Sequence, residues 1–125
     1  MNRGTNIQSH KDLIVWQKSV ELTLMIYELT LQFPPEEKFG IVSQMRRSAV
    51  SIPSNIAEGR SRGTRKDFAQ FLHIAMGSVS ELETQLEISA RLKYGEKIAY
   101  TEVMVLLGEV SKMLMAMITR LKARS

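Results

Sequence analysis

The side chains able to do chemistry are few, and their spacing fits no catalyst. The chain has no Cys and two His, His10 and His73. Thiol catalysis, disulfides and thiolate zinc sites are therefore excluded. A carboxylate-bridged di-iron centre needs Glu-x-x-His on two helices. Here Gln70, not Glu, stands three residues before His73, so His73 reads as a hydrogen-bonding residue. Glu83 and Glu87 lie one turn apart beside Glu81 and read as a solvated acidic face. Two histidines assemble no Ser-His-Asp set. Gly59-Arg60-Ser61-Arg62-Gly63 lacks the Gly-Lys-Ser/Thr ending and the preceding strand of a phosphate loop. These counts predict no catalytic residue, no metal and no cofactor.

What remains is positive charge. Seventeen Lys and Arg against thirteen Asp and Glu give a net +4, with a pI near 9.6. That balance permits an acidic partner without demanding one. Aromatics make up 6% of the chain, thin for reading bases by stacking. At 125 residues, 44% hydrophobic and 24% charged, the chain suits one soluble domain. No run approaches the ~18 apolar residues of a membrane span. The opening MNRGTNIQSHKD has no apolar core of a secretory signal, so a cytoplasmic location is expected.

Helices must position the charge, because apolar residues recur at spacings of 3 and 4. Residues 1–11 are polar and aperiodic and are expected to form a flexible tail. Residues 12–125 are expected to form one domain with helices over 12–33, 35–60, 65–94 and 101–124. Asp12 is the expected first cap. Helix 1 carries two apolar stripes: Leu13, Trp16, Val20, Leu24, Tyr27 and Leu31, and then Val15, Leu22, Ile26, Leu29 and Phe33. A helix apolar on two sides is central in a core or sandwiched between subunits. Pro34 and Pro35 stop helix 1 and open helix 2. The expected core stripe of helix 2 is Phe39, Val42, Met45, Ala49, Ile52 and Ile56. Its face of Ser43, Arg47, Ser51, Ser54 and Glu58 would let another helix approach. Pro53 predicts a kink or a short break near residues 51–54, since proline removes one helix hydrogen bond and costs ~3 kcal/mol if uncompensated. Thr64 and Asp67 resemble a capping box. In helix 3, Phe68, Leu72, Ala75, Val79, Leu82 and Leu86 form the main stripe, and Phe71, Ile74, Ile88 and Leu92 a second. Gly95 is the expected C-terminal stop, and Thr101 the expected cap of helix 4. Met113 and Met115 fall off the helix 4 core stripe and suit an adaptable subunit contact. Short joints imply an all-α, antiparallel up-down-up-down four-helix bundle.

Three blocks carry a resemblance: DLIVWQKSVEL, FPPEEKFGIVSQMRRSAVSIPSNIAEGRSR and FAQFLHIAMGSVSELETQLEIS. Over residues 12–95 the chain closely resembles the four-helix bundle family of proteins found in intervening sequences of bacterial 23S ribosomal RNA genes. The resemblance implies an antiparallel four-helix bundle, homo-oligomers with a pentameric ring as the best-known form, and no established enzymatic activity. It also implies an architectural likeness to the basic accessory protein of diversity-generating retroelements. Arg46, Arg47, Pro53, Asn55, Glu58 and Gly59 belong to the family block. Arg46, Arg47, Asn55 and Glu58 are expected to fix the kink and the subunit interface. Asn55 could also cap the ladder that Pro53 breaks.

The bundle order gathers the charge. The N-terminus, the joint between helices 2 and 3 and the C-terminus share one end. Arg3, Lys11, Arg60, Arg62, Arg65, Lys66, Arg120, Lys122 and Arg124 then supply nine positive charges. Less Asp12 and Asp67 they leave +7, and with a chain total of +4 the remainder carries −3. A ring would multiply that end's attraction for RNA or DNA backbones. Lys11, Arg60, Arg62, Arg65, Lys66, Arg120, Lys122 and Arg124 are the expected nucleic-acid contacts, through phosphates and without sequence specificity. The competing reading is solvated charge complementing helix C-termini. It fits Arg120, Lys122, Arg124 and partly Arg60, but not Arg62, Arg65 or Lys66. A scaffold or adaptor ring docking another protein is the alternative function.

Overall fold

A computed structural model describes residues 9–123. Four α-helices run over Ile14–Thr30 (α1), Ile41–Ser61 (α2), Arg65–Arg91 (α3) and Lys97–Ala123 (α4), with 3-10 turns at His10–Asp12 and Pro35–Glu37. No strand occurs among the described residues. The protein is an all-α four-helix bundle. Each helix packs on two others, α1 on α2 and α4, α3 on α2 and α4. The shared core includes Leu22, Ile26, Met45, Ile52, Ile56, Leu72, Leu82, Leu86, Val110 and Leu114, all buried. Full burial of such a side chain stabilises by about 1.5–3 kcal/mol.

The ends differ from the sequence expectations for local reasons. Ser9 opens the first of the described turns, accepting from the Lys11 amide at 3.2 Å while Asp12 accepts from the Ser9 amide at 3.3 Å. Asp12 thus closes a capping box on a short turn, and α1 starts at Ile14 without a side-chain cap. Pro35–Glu37 is a 3-10 turn, and α2 starts only at Ile41. Phe39 therefore falls outside the helical register and is 89% exposed, not core. α4 starts at Lys97, four residues before Thr101. The Thr101 hydroxyl donates back to the Lys97 carbonyl at 3.4 Å inside the helix. α3 ends in a Schellman motif, with the Tyr94 amide bonding Ser89 O at 3.1 Å and the Lys93 amide bonding Ala90 O at 3.0 Å. The left-handed residue of that motif is Lys93, φ 62°, rather than Gly95, which follows at φ 77°.

α2 runs unbroken through Pro53, which leaves a kink rather than a break as the form of the expected irregularity. Proline deprives the Ala49 carbonyl of its helical donor. The Thr23 hydroxyl of α1 sits 3.1 Å from that carbonyl and 2.8 Å from Ser19 O. The missing partner comes from the neighbouring helix, not from Asn55. Thr23 faces Ala49 while Tyr27 and Thr30 face Arg46, so α1 and α2 run in opposite directions.

Of the two stripes on α1, one is buried: Val15, Leu22, Ile26, Leu29 and, just beyond the helix, Phe33. On the other, Leu24 is 63% and Leu31 77% exposed. The second stripe of α3 is likewise open at Ile74, Ile88 and Leu92.

Candidate nucleic-acid interface

The joint after α2 begins with a close helix crossing. Gly59 is buried, and a Cβ there would stand 2.6 Å from Phe71 Cβ and 3.2 Å from Phe68 Cδ1. Only glycine lets the end of α2 meet the start of α3 so tightly. Gly63 turns the chain with φ 85°, and the Thr64 hydroxyl then accepts from the Asp67 amide at 3.1 Å, capping α3.

The basic residues around this joint are tethered unequally. The Arg62 guanidinium pairs with Glu58 at 3.0 Å and lies 5.0 Å from the centre of the Phe71 ring. Arg65 reaches from the start of α3 to the end of α4, its Nη2 donating to Arg120 O at 3.3 Å and Leu121 O at 3.4 Å. It thereby satisfies terminal carbonyls of α4 and complements that helix's dipole. Both arginines have a structural explanation that sequence position alone did not provide. Lys66 is exposed and has no polar partner among the described residues. Arg60 is half-buried, while Arg120 and Lys122 are exposed at the end of α4. Lys11 is exposed on the first 3-10 turn, which packs on α2. Arg3 and Arg124 lie outside the described residues. Seven described basic side chains, against Asp12, Glu58 and Asp67, leave this end locally at +4.

Three adjoining grooves of about 480, 230 and 180 Å³ share Arg65 and Leu121 as walls. Phe68, Ala69, Met117 and Leu121 supply apolar lining, and Arg60, Lys66, Arg120 and Lys122 supply charge. His73 and Gln70 line the largest of them. Phe68, expected only on the main apolar stripe of helix 3, is half-buried and lines two of these grooves. Its position one turn into α3, beside the glycine crossing, was the available signal.

The RRSAVSIPSNIAEG block divides its work. Arg46 Nε donates to Thr30 Oγ1 at 2.9 Å and its Nη2 to Tyr27 O at 3.3 Å, with the guanidinium 4.4 Å from the Tyr27 ring centre. It binds the C-terminal end of α1 by charge, hydrogen bond and cation–π contact. Asn55 Nδ2 donates to Ser51 O at 2.8 Å and Ser51 Oγ at 3.0 Å, and Ser51 Oγ meets Ser78 Oγ of α3 at 2.8 Å. Glu58 is spent on Arg62. Arg47 is exposed, with no polar partner among the described residues, and lines an open groove with Phe39 and Val50.

The model of the 23S rRNA-intervening sequence protein family matches residues 11–116. The chain belongs to this family. A crystal structure of a protein with unknown function from the S23 ribosomal protein family of Bacteroides thetaiotaomicron VPI-5482 is 30% identical. The likeness covers 84% of this chain and 98% of that one, with a TM-score of 0.75. No curated protein matches. Neither the family description nor the related structure names a reaction.

In this family member His73 is exposed at the groove it shares with Gln70, and His10 packs edge-on against Trp16 with ring centres 5.1 Å apart. Among the described residues no three His, Asp or Glu side chains are grouped to hold a metal. No described helix is long and apolar enough to cross a membrane. At the opposite end of the bundle Tyr94 donates to Glu37 Oε2 at 2.9 Å and Tyr100 to Tyr94 O at 2.7 Å. Accepting that bond, the Glu37 carboxylate raises the Tyr94 pKa. Burial pushes Tyr100 up to about 12.

Proposed function

We propose that this family member is a non-enzymatic, cytoplasmic, homo-oligomeric ring, pentameric in form, that contacts nucleic acid through its basic end. RNA is the substrate class, engaged at the phosphate backbone without sequence specificity. The observation that carries the reading is the convergence of Arg60, Lys66, Arg120 and Lys122 on the grooves around Arg65. These cations come from the end of α2, the start of α3 and the end of α4. Arg62 and Arg65, though tethered, are exposed, and a guanidinium has five donors. Self-association is supported by the apolar residues that the α1 stripe leaves in solvent, Leu24 and Leu31. A scaffold or adaptor ring is favoured by a different observation, the open groove holding Phe39, Val50 and Arg47.

Electrophoretic shift of a structured RNA at stepped salt tests the first reading. Lys66→Glu with Lys122→Glu is expected to weaken binding at low salt and to flatten the salt dependence, by about 0.7–0.9 in log–log slope for each phosphate no longer neutralised. An unaltered slope and affinity would transfer the function to the scaffold reading.

A further inference from the structure

A groove of about 700 Å³ lies at the opposite end of the bundle, between the last turn of α3 and the first turns of α4. Its lining is Ala90, Arg91, Lys93, Tyr94, Gly95, Lys97, Tyr100 and Thr101: three cations, two tyrosines and no carboxylate. Volumes of this size belong to small-molecule sites. Glu87 holds Arg91 by a 2.7 Å ion pair at the rim. Lys93 and Lys97 are exposed, and among the described residues neither has a polar partner.

Both tyrosine hydroxyls are committed away from any ligand, Tyr94 to Glu37 and Tyr100 to the Tyr94 carbonyl. Tyr94 also packs on Phe33, ring centres 5.3 Å apart. The rings are therefore anchored in advance, as a stacking surface requires. Lys93 adds an independent sign. It occupies the left-handed position that ends α3, with φ 62°, where glycine avoids a side-chain penalty. The strain places a cation on the rim of the groove, and strain of this kind clusters at functional sites.

The geometry points to a binding site for a planar anion of the nucleoside monophosphate class, its ring against Tyr94 and Tyr100 and its phosphate between Lys93 and Lys97. This site is separate from the basic end and does not depend on the RNA reading.

Titration calorimetry of the full chain with AMP, adenosine and inorganic phosphate, at one ionic strength, tests it. AMP is expected to bind at least tenfold tighter than adenosine or phosphate alone. Lys93→Gly is expected to weaken AMP binding at least tenfold while leaving the melting temperature unchanged or higher. Lys97→Ala is expected to weaken it similarly, and Lys66→Glu, at the other end, to leave it unchanged. Adenosine or phosphate binding as tightly as AMP would overturn the assignment. So would wild-type AMP affinity in both Lys93→Gly and Lys97→Ala, or loss of AMP binding through Lys66→Glu alone.

Discussion

Single atoms explain how this sequence tolerates its awkward residues. Pro53 is buried in the middle of α2 and orphans the Ala49 carbonyl, which finds the Thr23 hydroxyl 3.1 Å away. Thr23→Val keeps the side-chain shape and removes that donor. It is expected to cost about 1–3 kcal/mol, the penalty of a buried acceptor left unmade. In Pro53→Ala the backbone amide returns, and the same Thr23→Val change should then cost less. Urea denaturation of the four proteins gives the coupling; strict additivity would show that Thr23 does not serve the Ala49 carbonyl. Gly59 sets a sterner limit. The 2.6 Å approach of a new Cβ to Phe71 Cβ leaves no room, so Gly59→Ala is expected to destabilise by about 1–3 kcal/mol in the same assay. Tyr100 adds a pH dependence. Its folded pKa is about 12 against an ordinary 10.0. A raised phenol contributes stability that is complete below pH 10 and lost as pH rises from 10 to 12. Tyr100→Phe gives up the hydrogen bond to Tyr94 O, about 1 kcal/mol at pH 7, and should lose less stability than wild type across that alkaline window.

Periodicity located all four helices, because each needs an apolar face at spacings of 3 and 4 to join one core. Their ends were harder to read, since end signals compete. Thr101 could have capped a helix, yet α4 already begins at Lys97 and the Thr101 hydroxyl turns inward to the Lys97 carbonyl. Glycine is favoured at a left-handed stop, and Gly95 pointed there, but the Schellman bonds close two residues earlier on Lys93. Phe39 was indistinguishable from core by spacing alone, because the 3-10 turn at Pro35–Glu37 shifts its register. The double stripe of α1 was legible, and on its outer line Leu24, Tyr27 and Leu31 are exposed while Leu13 is buried in the core. If that stripe joins copies, Leu24→Lys with Leu31→Lys should dissociate the oligomer to single chains of 14.2 kDa in sedimentation, while keeping the helical circular dichroism of the wild type. A single chain for the wild type at micromolar concentration would deny the stripe that role.

Across the whole molecule, the charge reading depended on partners that no sequence pattern reveals. Sequence order brought Arg62, Arg65 and Lys66 to one end and left them without a structural reason to be there. The fold gives Arg62 the Glu58 carboxylate and the Phe71 ring, and gives Arg65 the last carbonyls of α4. Counting Glu58 and omitting Arg3 and Arg124, the end carries +4 locally. That is a weak field for one chain, and the proposed function therefore leans on assembly. Five copies with their basic ends side by side would engage several phosphates at once, and linking binding sites in this way raises avidity by about 10²–10⁴. The Leu24→Lys, Leu31→Lys chain therefore makes a decisive comparison: it keeps every basic-end residue and adds two positive charges. Point-charge attraction alone would make it bind structured RNA at least as well as wild type. Avidity from the ring predicts the reverse, a loss of about 10²-fold or more in a filter-binding titration at fixed salt. Equal or tighter binding by the dissociated chain would remove the ring from the mechanism and leave the basic end acting alone.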